Sequence, residues 1–320
     1  MQTLNNILEL IGKTPLVRIN KLAPKNGATV YAKLEGQNPG GSVKDRMALY
    51  IIENAEAAGK LDKSKIILEA TSGNTGIALA MIAAVKGHKL ALTMPESVSI
   101  ERRKIIKAYG AELILSPAAQ GTGGAVELKK KLLVETPDKY VALDQFSDPS
   151  NILAHYQTTG REILEDTEGK IDTFVASVGT AGTGVGVAMR LKEYNQNIRT
   201  VGVMPMLGVP IQGLRNPKEM NPTQLFRREW FDEVIELDKA GAEAGFETAR
   251  KLASEEGIFV GMSSGAAMKV ALDEAKKLGK GKTVVVIIPD RGDKYLSTDL
   301  FTCKELFNCD EKCDDKKECK

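Results

Sequence analysis

What most constrains the fold of this chain is an alternation. Short, β-branched, apolar runs take turns with amphipathic stretches of about 10–15 residues. After Lys44 the runs Ile66–Ala70, Leu90–Met94, Leu113–Leu115 and Tyr140–Leu143 are separated by helical patterns over Ile77–Val85, Ser99–Tyr109 and Ala125–Glu135. A helical stretch at Asn151–Leu164 follows. The rhythm then resumes with Thr173–Val178, Thr200–Val203, Glu233–Leu237, Ile258–Val260 and Thr283–Ile288, and with helices predicted over Val185–Glu193, Gly241–Glu255 and Ser264–Leu278. Upstream, residues 4–12 read as a short helix ending at Gly12, Lys13–Ile19 as a turn into a strand, Thr29–Leu34 as a strand, and Met47–Ala58 as a helix. Short apolar strands joined by crossover helices belong in parallel sheets covered on both faces. Residues 205–229, with Pro205, Pro210, Pro217 and Pro222, break the rhythm. A connection of that length inside a compact domain is functional or disordered.

The chain has 320 residues, enough for a sizeable core and two domains. A net charge of +2 gives no electrostatic reason to expect nucleic acid or an anionic membrane as partner. No apolar run approaches the roughly 20 residues of a membrane span. The start, Met1-Gln2-Thr3-Leu4-Asn5, lacks the basic-then-apolar order of a signal peptide. A cytoplasmic location is therefore expected. All four cysteines, Cys303, Cys309, Cys313 and Cys319, crowd into the last 18 residues. No disulfide framework can hold the rest, and the spacing lacks the C-x2-C pair of a common zinc site. No metal is expected in the fold, and residues 303–320 read as a charged tail with incidental thiols, or as a tail that binds metal or senses redox state.

In an open α/β sheet, ligands gather outside the carboxyl ends of the strands. Four predicted strand ends carry glycine- and hydroxyl-rich turns that open helices. The first, Asn38-Pro39-Gly40-Gly41-Ser42-Val43-Lys44-Asp45-Arg46, puts a lysine where strand gives way to helix. The glycines let backbone approach a ligand, and the helix N-terminus adds partial positive charge beside the amine. That field and partial burial both disfavour the ammonium, so Lys44 could serve as a neutral amine that forms a Schiff base. Taken alone, Lys44 reads better as one more surface lysine; the other turns change that.

The second turn, Thr71-Ser72-Gly73-Asn74-Thr75-Gly76, offers hydroxyls, an amide and free N–H groups. These suit a small carboxylate or an aromatic hydroxyl, or plain helix capping. The third, Gly179-Thr180-Ala181-Gly182-Thr183-Gly184, suits a phosphate cradle at a helix start, or a tight αβ turn with no ligand. It has no lysine after a glycine and misses the dinucleotide spacing, so it is neither nucleotide fingerprint. The fourth, Gly261-Met262-Ser263-Ser264-Gly265-Ala266, offers a serine that could meet a ring nitrogen or cap the helix. An amine, a phosphate cradle and a neutral hydroxyl for a pyridine nitrogen are what pyridoxal 5'-phosphate requires.

In this order the motifs resemble the cysteine synthases (O-acetylserine sulfhydrylases), the B-type above all, among the fold-type II pyridoxal-phosphate enzymes. The resemblance runs from Ile11-Gly12-Lys13-Thr14-Pro15-Leu16-Val17-Arg18 to Tyr295-Leu296-Ser297-Thr298. It implies an α/β fold with two open, twisted, mostly parallel sheets and helices on both faces, like the tryptophan synthase β chain. It implies a large domain of residues 1–40 and 146–302 holding the phosphate and pyridine sites, and a small mobile domain of residues 41–145. Met94-Pro95-Glu96-Ser97 and Glu101-Arg102-Arg103 match that mobile domain. His155-Tyr156 and Thr158-Thr159-Gly160, within Asp144–Gly160, favour the B-type.

The resemblance also implies roles. Lys44 holds the cofactor and later moves protons. Asn74 hydrogen-bonds the phenolic oxygen. Gly179, Thr180, Ala181, Gly182 and Thr183 hold the phosphate, and Ser263 faces the pyridine nitrogen. Thr71, Ser72, Gly73, Thr75 and Gln145 bind the substrate carboxylate. The implied reaction is a β-replacement through an α-aminoacrylate, forming L-cysteine from O-acetyl-L-serine or a related activated serine and sulfide. The implied state is a homodimer that takes a small amino acid and sulfide or a thiol.

The departures fall where nucleophile and leaving group would sit. The family has glycine where this chain has Ala181, a position expected not to take a positive φ easily. Met204-Pro205-Met206 stands where the family tends to be polar or acidic. In Pro210–Pro217, Arg215 could attract an anionic second substrate or remain a solvated arginine. Trp230-Phe231-Asp232 is expected to pack the entry to a strand, and His88 to lie in a loop. His155 reads equally as structural or functional. A lyase that releases hydrogen sulfide from L-cysteine, with water or a thiol as acceptor, would use the same residues. A regulatory module that kept the fold and lost activity is opposed by Lys44 and the intact turns.

Overall fold

The computed structural model describes residues 3–71, 73–98, 100–218 and 223–301. Ser72 and the cysteine-bearing tail lie outside the described residues. The chain opens on a single 3-10 turn, Ile7–Leu10, shorter than the helix expected there. The strands β1 (Leu16–Ile19) and β2 (Thr29–Leu34) follow, then α1 (Lys44–Ala57), β3 (Ile66–Ala70), α2 (Asn74–Lys86) and β4 (Lys89–Pro95). Next come α3 (Ile100–Ala108), β5 (Glu112–Ser116), α4 (Gly121–Glu135) and β6 (Tyr140–Val141). The helical stretch beyond is α5 (Ser150–Ala154), a π-helical turn (His155–Thr159) and α6 (Gly160–Asp166). The remainder is β7 (Thr173–Ser177), α7 (Gly182–Tyr194), β8 (Arg199–Pro205), β9 (Glu233–Leu237), α8 (Lys239–Glu256), α9 (Met262–Leu278) and β10 (Thr283–Ile288).

Two sheets result. One has six strands in the order β1-β2-β10-β7-β8-β9, the other four in the order β5-β4-β3-β6. Every strand pair is parallel except β1 with β2. Helices cover both faces of each. On the six-stranded sheet, Val284, Val286 and Ile288 pack with α8 and α9 through Ala249, Leu252, Ala267 and Val270. Val285 and Ile287 point the other way, toward Ile163 of α6 and Val187 and Leu191 of α7. A strand buried on both faces reads as a near-continuous apolar run, which is why Val284-Val285-Val286-Ile287-Ile288 shows no alternation. On the four-stranded sheet, Ile67 and Leu92 face α1 and α2, while Leu68 and Ala91 face Leu132 and Leu133 of α4.

The four glycine-rich turns do not all follow full strands. Ile258–Val260, expected as a strand, forms only an isolated bridge, Val260 with Arg291. The helices also begin earlier than apolar periodicity suggests, at Lys44, Asn74, Gly182 and Met262. Their first turns are small or polar and carry no periodic signal. Among the described residues, no helix is long and apolar enough to cross a membrane.

Candidate active site

Lys44 is the first residue of α1, held there by backbone on both sides. Ser42 bridges Asp290, and Val43 N donates to Pro289 O at 2.8 Å, so the end of β10 fixes where α1 starts. Asp45 Oδ2 accepts from Gly40 N at 2.5 Å and tightens the turn. Burial pushes the Lys44 ammonium down, against the opposing pull of Asp290 and Glu35. The amine is thereby shifted toward the neutral form that a nucleophile or base needs.

Two residues along α1, Arg46 anchors the helix below. Its guanidinium meets Glu35 in a two-bond fork (Nε at 2.7 Å, Nη2 at 2.8 Å) and Glu162 in a second (Nη1 at 2.6 Å, Nη2 at 2.7 Å). Lys33 Nζ, fully buried, reaches Glu162 at 3.0 Å and Asp166 at 2.9 Å. Burial would raise both glutamates, but Arg46 outweighs it; Glu35 is lowered, and Glu162 falls to about 2. The network ties β2, α1 and α6 into one block under the lysine.

Asn74 begins α2. Its Nδ2 donates to Asp290 Oδ2 at 2.7 Å, and its Oδ1 accepts from Lys294 Nζ at 2.8 Å. Lys294 also donates to Gly41 O at 3.1 Å, just before Lys44. Tyr295 Oη donates to Asp290 Oδ2 at 2.8 Å. Burial raises the Asp290 carboxyl, although Asn74, Lys294 and Tyr295 all oppose it. Asp290 Oδ1 is buried with no hydrogen-bond partner among the described residues.

The cradle is the N-terminus of α7. Ala181, its N-cap, adopts φ +74°, contrary to the expectation that alanine resists this conformation. Its methyl is buried with Val178, Val185, Met204 and Phe231, and that packing offsets the backbone strain. Gly179 and Gly182 are required sterically. A Cβ on Gly179 would stand 2.6 Å from Gly213 O, and one on Gly182 would overlap the amide of Asn151. Asn151 Nδ2 donates to Thr180 Oγ1 at 3.0 Å and to Gln145 O at 2.8 Å. Thr183 Oγ1 lies 3.1 Å from His155 Nε2, whose other ring nitrogen lies 2.9 Å from Thr159 Oγ1. Burial drives His155 down to about 3, so it stays neutral. A neutral imidazole between two hydroxyls, on a π-helical turn, orients Thr183 without adding charge.

The expected residues form a circuit. Asp290 touches Asn74, whose neighbour Thr75 donates to Gln145 Oε1 at 2.8 Å. Gln145 leads through Asn151 to Thr180 and Gly179. Gly213 stands against Gly179 and, on its other side, 3.6 Å from Ser263 Oγ when a Cβ is built on it. Ser263 is buried in the first turn of α9, whose N-cap Gly261 packs against Asp290. Thr71 and Gly73 lead into α2, Gly73 as its N-cap and Thr71 N donating to Thr93 O at 3.1 Å. The expected Ser72 lies outside the described residues. Arg215 sits at the edge, its Cζ 4.8 Å from the Phe146 ring centroid and its N–H on Val178 O at 2.9 Å.

The irregular connection after β8 lies across this circuit, since Thr223 Oγ1 donates to Thr180 O at 2.6 Å. Trp230 and Phe231 pack beside β9 and the start of α7. His88 follows the C-cap of α2 and binds Glu56 Oε1 at 2.6 Å, away from the circuit. Asp290, Lys294, Asn151 and Arg46 went unnoticed in the sequence. The charged run Asp290-Arg291-Gly292-Asp293-Lys294, directly after an all-apolar strand, was the signal available for two of them.

The donors fit pyridoxal phosphate: a buried amine, a glycine- and threonine-bearing cradle at a helix N-terminus, a serine hydroxyl and an amide aimed from α2. Comparison with known proteins agrees. The model of the family described as pyridoxal-phosphate dependent enzyme matches residues 7–290. Cysteine synthase B of Salmonella typhimurium (strain LT2) is 48% identical over 299 residues, covering 93% of this chain and 96% of that protein. The crystal structure of O-ureido-L-serine synthase superposes with a TM-score of 0.87 at 38% identity, over 94% of this chain and 96% of that one. That of a hydrogen sulfide-producing enzyme from Fusobacterium nucleatum gives 0.82 at 41% identity, over 92% of this chain and 100% of that one.

Proposed function

The chain belongs to the pyridoxal-phosphate-dependent enzyme family, and from that premise we propose that it forms L-cysteine by β-replacement, from O-acetyl-L-serine or a related activated serine and sulfide. The observation that carries the substrate assignment is the end-to-end match with cysteine synthase B. Bound in the circuit, pyridoxal phosphate supplies an aldehyde for the substrate amine and an electron-withdrawing ring that acidifies its α-proton.

The chain's own residues do the rest. Lys44 Nζ anchors the cofactor, then takes the α-proton and returns it. Gly179, Thr180, Ala181, Gly182 and Thr183 hold the phosphate on the α7 dipole. Ser263 faces the ring nitrogen and, being a neutral hydroxyl, leaves it unprotonated. Asn74 donates to the phenolic oxygen. Thr71, Ser72, Gly73 and Thr75 bind the substrate carboxylate with Gln145, already bonded to Thr75. Arg215 at the edge draws in an anionic second substrate.

Residues 41–145 act as a small domain that closes over the substrate and excludes water, against a large domain of residues 1–40 and 146–302. The separate four-stranded sheet within residues 66–141 supports that division. The reading extends to a cytoplasmic homodimer, which sedimentation of the purified protein tests for mass.

A second reading, release of hydrogen sulfide from L-cysteine, is favoured by the likeness to the hydrogen sulfide-producing enzyme. Steady-state rates decide between them. The synthase reading expects faster turnover with O-acetyl-L-serine plus sulfide than with L-cysteine alone, and the reverse order overturns it.

A further inference from the structure

The amide of Asn74 is held at both ends by groups from the six-stranded unit. Lys294 Nζ donates to Oδ1 at 2.8 Å, and Asp290 Oδ2 accepts from Nδ2 at 2.7 Å. An asparagine amide can be turned half a circle in its plane, and only its partners say which end is which. Here the partners differ in kind. Lys294 Nζ, which also donates to Gly40 O and Gly41 O, presents N–H at one end, and Asp290 Oδ2, which also accepts from Tyr295 Oη, presents oxygen at the other. Turning the amide would set N–H against N–H and oxygen against oxygen.

Both partners are themselves fixed. Lys294 donates to Gly40 O at 3.3 Å and Gly41 O at 3.1 Å. Asp290 accepts from Tyr295 Oη at 2.8 Å. The seat of the carboxylate depends on Gly261, where a Cβ would stand 2.5 Å from Asp290 Oδ1 and overlap the Tyr295 ring.

We propose that Asp290 and Lys294 are positioning residues that lock the Asn74 amide in one orientation and commit the second N–H of its Nδ2 to the phenolic oxygen of pyridoxal phosphate. The inference rests on the reading that Asn74 contacts that oxygen. Nδ2 carries two hydrogens, and Asp290 takes one. Because Asn74 begins α2 while Asp290 and Lys294 follow β10, the same two bonds pin α2 across the cleft.

The test is a set of variants, N74A, D290A, K294M and N74A/D290A, read without turnover. The readouts are the dissociation constant of added pyridoxal phosphate and the position of the visible absorption band of the loaded protein. The clamp predicts that N74A, D290A and K294M each weaken binding by about tenfold and shift the band in the same direction. In the N74A background, D290A should add less than about a twofold change and no further shift. If D290A does not fold, K294M and N74A/K294M carry the same comparison. Effects of D290A and K294M that are undiminished without Asn74 overturn the clamp. So does a band shift in N74A that neither D290A nor K294M reproduces. If N74A itself changes neither affinity nor band, the Asn74 contact fails first and the clamp falls with it.

Discussion

Asp45, next to Lys44, carries a pH signature of its own. It is buried, one carboxylate oxygen holds Gly40 N, the other has no partner among the described residues, and burial lifts its pKa to about 7. In the unfolded chain an aspartate titrates near 4. Between about pH 4 and pH 7 the folded state therefore binds more protons than the unfolded one, and stability falls as pH rises through that window. Asp45→Asn keeps an acceptor for Gly40 and removes the titration. Urea unfolding of the cofactor-free protein at about pH 5 and about pH 7 should show a smaller loss for the variant than for the parent.

Ala181 makes a second residue-scale case. Glycine there would relieve roughly 1–2 kcal/mol of left-handed strain. It would also lose about 0.8 kcal/mol of methyl burial and about 0.5–1 kcal/mol of backbone entropy. The terms nearly cancel, so Ala181→Gly should leave the urea midpoint almost unchanged. Ala181→Val, β-branched at φ +74°, should cost more than about 2 kcal/mol. At this scale Lys44 and the cradle were legible because several rare turns occurred in order. Asp290 and Lys294 were not, because charged residues after a strand read as ordinary surface until the fold brings them to Asn74.

Helix starts were the least legible elements. Apolar spacing locates the middle of α2, α7 and α9, but their first turns are Asn74-Thr75, Gly182-Thr183 and Met262-Ser263, whose job is to present N–H groups and hydroxyls. The π-helical turn inside Asn151–Leu164 was equally hidden, since a single wide turn is too short to carry a period of its own. The parallel strands were plain, because burial on both faces favours near-continuous apolar runs. Below α1, the Arg46 network joins three elements that sequence cannot place together. Removing one member of a buried ion cluster strands the others. Arg46→Met, which leaves Glu35 and Glu162 without their shared partner, should lower stability by about 3–5 kcal/mol in denaturant unfolding.

Across the whole molecule, the two sheets meet at the circuit, and α3 reaches over it. Arg102 Nη2 donates to Gln212 Oε1 at 3.1 Å, and its Cζ lies 5.8 Å from the Tyr295 ring centroid. These are exposed contacts, worth about 0.5–1 kcal/mol together. Arg102→Ala should accordingly raise KM for the amino-acid substrate by roughly two- to fivefold and leave the visible band of the loaded protein in place. A loss confined to kcat would argue against a part for this contact in closure. The two-sheet architecture followed from alternation plus resemblance, whereas the contacts that cross between the sheets had no signature in either.

The central claim is that one amine, Lys44 Nζ, holds the cofactor. Borohydride reduction of the purified protein loaded with pyridoxal phosphate, followed by proteolysis and mass mapping, tests it directly. One phosphopyridoxyl adduct is expected, on the peptide containing Ser42-Val43-Lys44, absent from Lys44→Ala treated alike. An adduct on another lysine, or an equal yield of adduct in Lys44→Ala, would contradict it.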